Sequence, residues 1–83
     1  MIEPAQIRAA RGLLALSQAE LAKMASLSVA SVKRLEAAPG LRGAAETVWK
    51  IQKALEAAGI EFISEEAGRG PGVRLKHARE NRP

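Results

Sequence analysis

Residues 18–36 read QAELAKMASLSVASVKRLE, and this stretch decides the fold. Ser17 with Glu20 three residues on is a capping-box pattern, so a helix is expected over about Ser17–Ala25. Leu21, Met24 and Ala25 are expected to form its inward face. Ser28 is the expected N-cap of a second helix over about Ser28–Ala37, with Val32 and Leu35 facing inward. A turn of about three residues, centred on Ser26-Leu27, joins the two. Ala22 is small where the helices would cross, and Leu27 completes the apolar set. Two short helices in this arrangement form the pattern of a helix-turn-helix.

Working outward, the N-terminal side predicts a helix over Pro4–Leu14. Proline suits a first helical turn, and Ile7, Ala10 and Leu14 share one face. On the C-terminal side, Pro39-Gly40 ends the second helix of the motif. Val48, Ile51, Leu55 and Ala58 then repeat at helical spacing, predicting a helix over Ala44–Ala58 with Gly59 as its stop. Trp49 lies one position off that stripe and is expected to be a partly buried packing residue. Ile60-Glu61-Phe62-Ile63-Ser64 and Val73-Arg74-Leu75-Lys76 read as two short strands around the loop A-G-R-G-P-G, residues 67–72. The expected fold class is mostly α: a compact four- to five-helix domain with a short C-terminal β-strand or hairpin. The expected division is a helical domain at 1–59, a strand or hairpin at 60–76, and a basic, frayed tail at 77–83.

Charge and composition restrict the function. The chain has 83 residues, no Cys, Asp or Tyr, and one His. General acids, bases and metal ligands are therefore scarce, so no enzyme, cofactor or metal site is expected. The lone His77 has no Cys, Asp or second His beside it. The glycines of residues 67–72 precede no helix and lack a Lys-Ser/Thr pair, so turn chemistry is expected there rather than a phosphate cradle. Glu65-Glu66 is expected to be solvated. No apolar run approaches the roughly 20 residues that a bilayer requires. With no secretory pattern at the N-terminus, a cytoplasmic location is expected. The net charge is +4. Acidic and basic side chains balance over residues 1–66. Arg69, Arg74, Lys76, Arg79 and Arg82, against Glu80 alone, carry the excess, which favours a polyanionic partner.

The opening L-S-Q-A-E-L-A (Leu16–Ala22) and the ending S-V-K-R-L-E (Ser31–Glu36) resemble the lambda-repressor-like helix-turn-helix family, the XRE type of transcription regulator. The resemblance spans roughly residues 5–60. The G-I-E-F-I and G-P-G-V-R-L segments are similar to a tail often appended to small members. The resemblance implies a regulator binding double-stranded DNA as a homodimer, with residues 28–37 in the major groove. Ser28, Val29, Ala30 and Ser31 would occupy the first turn of that helix, followed by Lys33 and Arg34 on its exposed side. Gln18 would contact a phosphate or support a base-reading side chain. Arg42 would grip the phosphate backbone. Arg11 and Glu36 would form a buried ion pair.

Three departures from the family pattern involve four positions. Ser26 and Ala15 stand where glycine is usual. Val29 and Ala30 can touch a thymine methyl but form no bidentate hydrogen bond, leaving discrimination to Arg34, Lys33, the two serines and Gln18. Ile60, Phe62 and Ile63 form the expected dimer edge, because an unpaired strand edge invites pairing. A rival reading is an antitoxin or other protein-binding module that also represses its own operon. The basic, Gly-rich extra segment counts against it.

Overall fold

The computed structural model describes residues 2–37 and 45–79. Among the described residues, four helices and two strands run in the order α1 (Pro4–Leu14), α2 (Gln18–Met24), α3 (Val29–Ala37), α4 (Ala45–Ala57), β1 (Ile60–Ile63) and β2 (Gly72–Leu75). The mostly helical expectation with a terminal hairpin holds. The first helix has the expected bounds, and the other elements fall within about one residue of theirs. Pro39-Gly40, Arg42, Ala44 and the end of the expected tail, with Glu80 and Arg82, lie outside the described residues.

Local chemistry sets the boundaries. The Ser17 hydroxyl accepts the Glu20 N–H at 3.0 Å, and the Glu20 carboxylate accepts the Ser17 N–H at 2.8 Å, so the capping box forms. Ser28 Oγ accepts the Ser31 N–H at 3.1 Å and caps α3. Both α1 and α2 end in paired C-terminal bonds around a left-handed residue. At α1 this residue is Ala15, φ 56°; the Leu16 N–H reaches Arg11 O at 3.0 Å and the Ala15 N–H reaches Gly12 O at 3.3 Å. At α2 it is Ser26, φ 57°; the Leu27 N–H reaches Ala22 O at 2.8 Å and the Ser26 N–H reaches Lys23 O at 3.2 Å. These are Schellman closures, which normally take glycine because a Cβ is crowded there. An alanine and a serine thus stand at the left-handed ends of α1 and α2, and Ala67, φ 53°, is a third left-handed non-glycine residue.

The core joins all four helices to the hairpin. Ile7 and Ala10 of α1, Leu21 and Ala22 of α2, Val32 and Leu35 of α3, and Val48, Ile51 and Leu55 of α4 are buried together with Ile2 and Ile60. Strand β1 pairs antiparallel with β2, Ile60 opposite Leu75 and Ile63 opposite Gly72. The first strand packs on α4 and the second on α1. Ile60 is 0% exposed, so the hairpin shares the helices' core.

One buried amide holds the hairpin to α1. Gln6 Oε1 accepts the Glu3 N–H at 2.7 Å, while Nε2 donates to Gly72 O at 2.9 Å and Ile63 O at 3.3 Å. An opposed pair of strand residues is thereby fastened to the start of α1. A short hairpin is marginal by itself, and this clamp adds to its apolar packing.

Two side chains depart from their expected placement. Met24 is 43% exposed and Trp49 is 57% exposed. Each falls at the margin of its helix's buried stripe, where one more step of 100° turns a side chain into water.

Candidate nucleic-acid interface

In α3, Val32, Leu35 and Glu36 are buried, whereas Ala30, Lys33, Arg34 and Ala37 are exposed. The exposed four fall at i, i+3, i+4 and i+7, one continuous stripe along the helix. It carries two cations and no carboxylate, because the helix's one acid, Glu36, is turned inward. The stripe otherwise consists of alanines, so a bulky surface can approach the backbone closely.

Beside the start of that stripe lie the two serines, Ser28 and Ser31. Ser28 is exposed and Ser31 half-buried. The Ser28 hydroxyl donates to Ser31 Oγ at 2.9 Å while capping the Ser31 N–H. Val29 is partly buried against the core and Ala30 is open. Of the first-turn residues, Ser28 and Ala30 are thus the freest to meet a partner.

The inward face of α3 holds a polar lock. Arg11 grips Glu36 with two parallel bonds, Nε to Oε2 at 2.7 Å and Nη2 to Oε1 at 2.8 Å. The fork-to-fork geometry fixes direction as well as distance. Arg11 Nη1 also donates to Leu16 O at 3.0 Å, tying in the α1–α2 turn. Gln18 Nε2 donates to Glu36 Oε1 at 3.1 Å, and Arg8 Nη1 donates to the Glu36 carbonyl. Glu36 is only 3% exposed. Burial pushes its carboxyl up. The Arg11 and Gln18 hydrogen bonds and the charges of Arg11 and Arg8 pull more strongly down, holding it below the usual glutamate range.

The ion pair is therefore present, and Gln18 is half-buried with its amide nitrogen directed to Glu36. It stands at the start of α2, and its amide nitrogen is engaged by the buried Glu36 rather than free at the surface. Arg42 lies outside the described residues. At the hairpin, Ile60 is fully buried and Phe62 and Ile63 are half-buried, with Phe62 packed against the core. The Arg8 and Gln6 contacts were not legible in the sequence. Arg8 stands one turn before Arg11 on α1, but no spacing rule reaches across to residue 36. Glu3 and Gln6, three apart ahead of an apolar stripe, were a visible capping signal.

No protein-family model matches this chain, and no curated protein is significantly similar to it.

Proposed function

We propose that the protein is a transcription regulator that reads double-stranded DNA as a homodimer, with α2, its turn and α3 acting as a helix-turn-helix. The observation that carries this reading is the exposed α3 stripe of Ala30, Lys33, Arg34 and Ala37, held at a fixed angle by the Arg11–Glu36–Gln18 lock. A helix entering the major groove must present cations and small residues outward and be braced behind. Lys33 and Arg34 supply phosphate or base contacts, Arg34 suiting guanine by its planar fork. Ser28, Ala30 and Ser31 lie where bases would pass, and Val29 lends a methyl contact only at its open side. Gln18 supports the helix from α2, and Arg42 would meet the backbone from beyond α3. Two copies would read half-sites about 34 Å apart. A cytoplasmic setting suits such a partner, and among the described residues no helix is long and apolar enough to cross a membrane.

The test is selection of bound duplexes from a random DNA pool at two salt concentrations. An enriched inverted repeat with half-sites one helical turn apart is expected. Salt-sensitive binding without a motif would reduce the reading to a non-specific DNA binder. No binding at low salt, with a second protein retained on pull-down, would replace it with a protein-binding module.

A further inference from the structure

The exposed face of α4 carries an acid, an aromatic ring and a base in order. Glu46, Trp49 and Lys53 fall at i, i+3 and i+7; Glu46 and Lys53 lie opposite the buried Val48, Ile51 and Leu55, and Trp49 lies between them and the margin of that stripe. Ala57, one further turn on, continues the stripe with a small side chain. Trp49 is the largest side chain of the protein and is 57% exposed. Lys53 Nζ stands 5.7 Å from the ring centroid, a cation over an aromatic face. Beside the ring, Ala45, Glu46, Val48, Trp49 and Gln52 line a shallow, mostly apolar depression of about 480 Å³.

We infer that this face binds a second copy of the chain, α4 against α4 in antiparallel. The inference rests on the homodimer reading above and names the surface that makes the dimer. Charge complementarity identifies the occupant. A twofold axis between residues 49 and 50 maps position 46 onto position 53. Glu46 of each copy then faces Lys53 of the other, and the two Trp49 rings meet beside the axis over the Lys50 stems. A twofold interface requires that residue i contact j while j contacts i, and the order acid–ring–base meets this requirement with itself. An unrelated partner would have no need of that internal antisymmetry. The aromatic centre with charged flanks also has the composition of an interface core and its rim. The hairpin offers less, because Ile60 is taken up by the protomer's own core.

The single tryptophan makes the test direct. The full chain is diluted through its dimer transition, with mass followed by sedimentation equilibrium and Trp49 emission followed in parallel. A ring leaving water emits at shorter wavelength, so both signals are expected to share one midpoint. E46K and K53E are each expected to raise the dimer dissociation constant about tenfold, and the E46K/K53E pair to return it to within about threefold of wild type. These residues are exposed, so the melting temperature of each variant serves as a folding control. A dimer whose formation leaves Trp49 emission unchanged, or ignores both reversals, would place the interface elsewhere and leave the homodimer standing. A monomer up to about 1 mM would overturn the interface and the homodimer together, while DNA binding would be judged separately by the duplex selection.

Discussion

Arg11 and Glu36 stand 25 residues apart in sequence and meet in a two-pronged ion pair that fastens α3 to α1. The partners are unequally placed. The Glu36 side chain is 3% exposed, whereas that of Arg11 is 21% exposed. Arg11→Ala therefore strands a buried carboxylate and is expected to cost about 3–5 kcal/mol. Glu36→Gln leaves Arg11 with partial access to water and should cost less. Combining Arg11→Met with Glu36→Leu should recover most of the loss, since matched apolar groups remove the burial penalty from both sides. Urea denaturation of the two single variants and the double one measures all three effects.

Acid should weaken the fold through the same carboxyl. The Glu36 pKa is lowered in the folded state, so its contribution is fully present above the ordinary glutamate range. It is lost as pH falls through that range towards the folded value. Glu36→Gln removes a titrating group, so the variant's stability should fall less steeply with acid. Melting temperatures of both proteins across that interval report the difference.

The left-handed residues Ser26 and Ala15 predict an unusual gain. Ser26→Gly and Ala15→Gly should each stabilise the protein by about 0.5–1 kcal/mol, relief of Cβ crowding outweighing the extra chain entropy. Gly59, at φ 108°, predicts the reverse. Gly59→Ala should destabilise by more than about 1 kcal/mol although open space surrounds the added methyl. Thermal unfolding of the three variants gives the signs, and a loss on Ser26→Gly would refute the strain argument.

Gln6→Ala removes two hydrogen bonds to strand carbonyls and one to Glu3. A cost of about 1–3 kcal/mol is expected, concentrated at the hairpin. Hydrogen exchange should show the β1 and β2 amides losing protection before those of α2 and α3. Uniform loss across the chain would mean that the clamp has no local role.

On DNA, two arginines should separate. Arg34→Ala is expected to relax preference at one base pair at a cost of about 1–3 kcal/mol. Arg42→Ala should weaken all sequences alike and reduce the salt slope by about one. Titrations against the selected duplex and a scrambled one, at several salt concentrations, distinguish these effects. If neither affinity changes, α3 does not dock in the groove.

The legible parts of this fold were those written in local chemistry. Ser17, Glu20 and Ser28 announce helix starts through side chains that bond within three residues. The stripe Val48–Ile51–Leu55 announces a buried face through period alone. The strand ends were displaced by a residue, since the pairing of Ile63 with Gly72 is settled between strands rather than within either. Gln18 was visible as a helix-start residue, but its bond to Glu36 depends on where α1 brings Arg11. Met24 and Trp49 fell at stripe margins, where periodicity alone does not decide burial. The Gln6 clamp spans 66 residues to Gly72, beyond the reach of any spacing rule.

That span also sets a timetable for synthesis. At about 5–20 residues per second, Gln6 is made roughly 3–13 s before the Gly72 carbonyl it must hold. Ile7 and Ala10 wait nearly as long for Ile60 and the strands to close over the end of their helix. The nascent protein thus keeps an apolar seam on α1 uncovered until Gly72–Leu75 has been produced. A chain truncated after residue 59 would display four helices without the strand that seals them, a form suited to capture by chaperones.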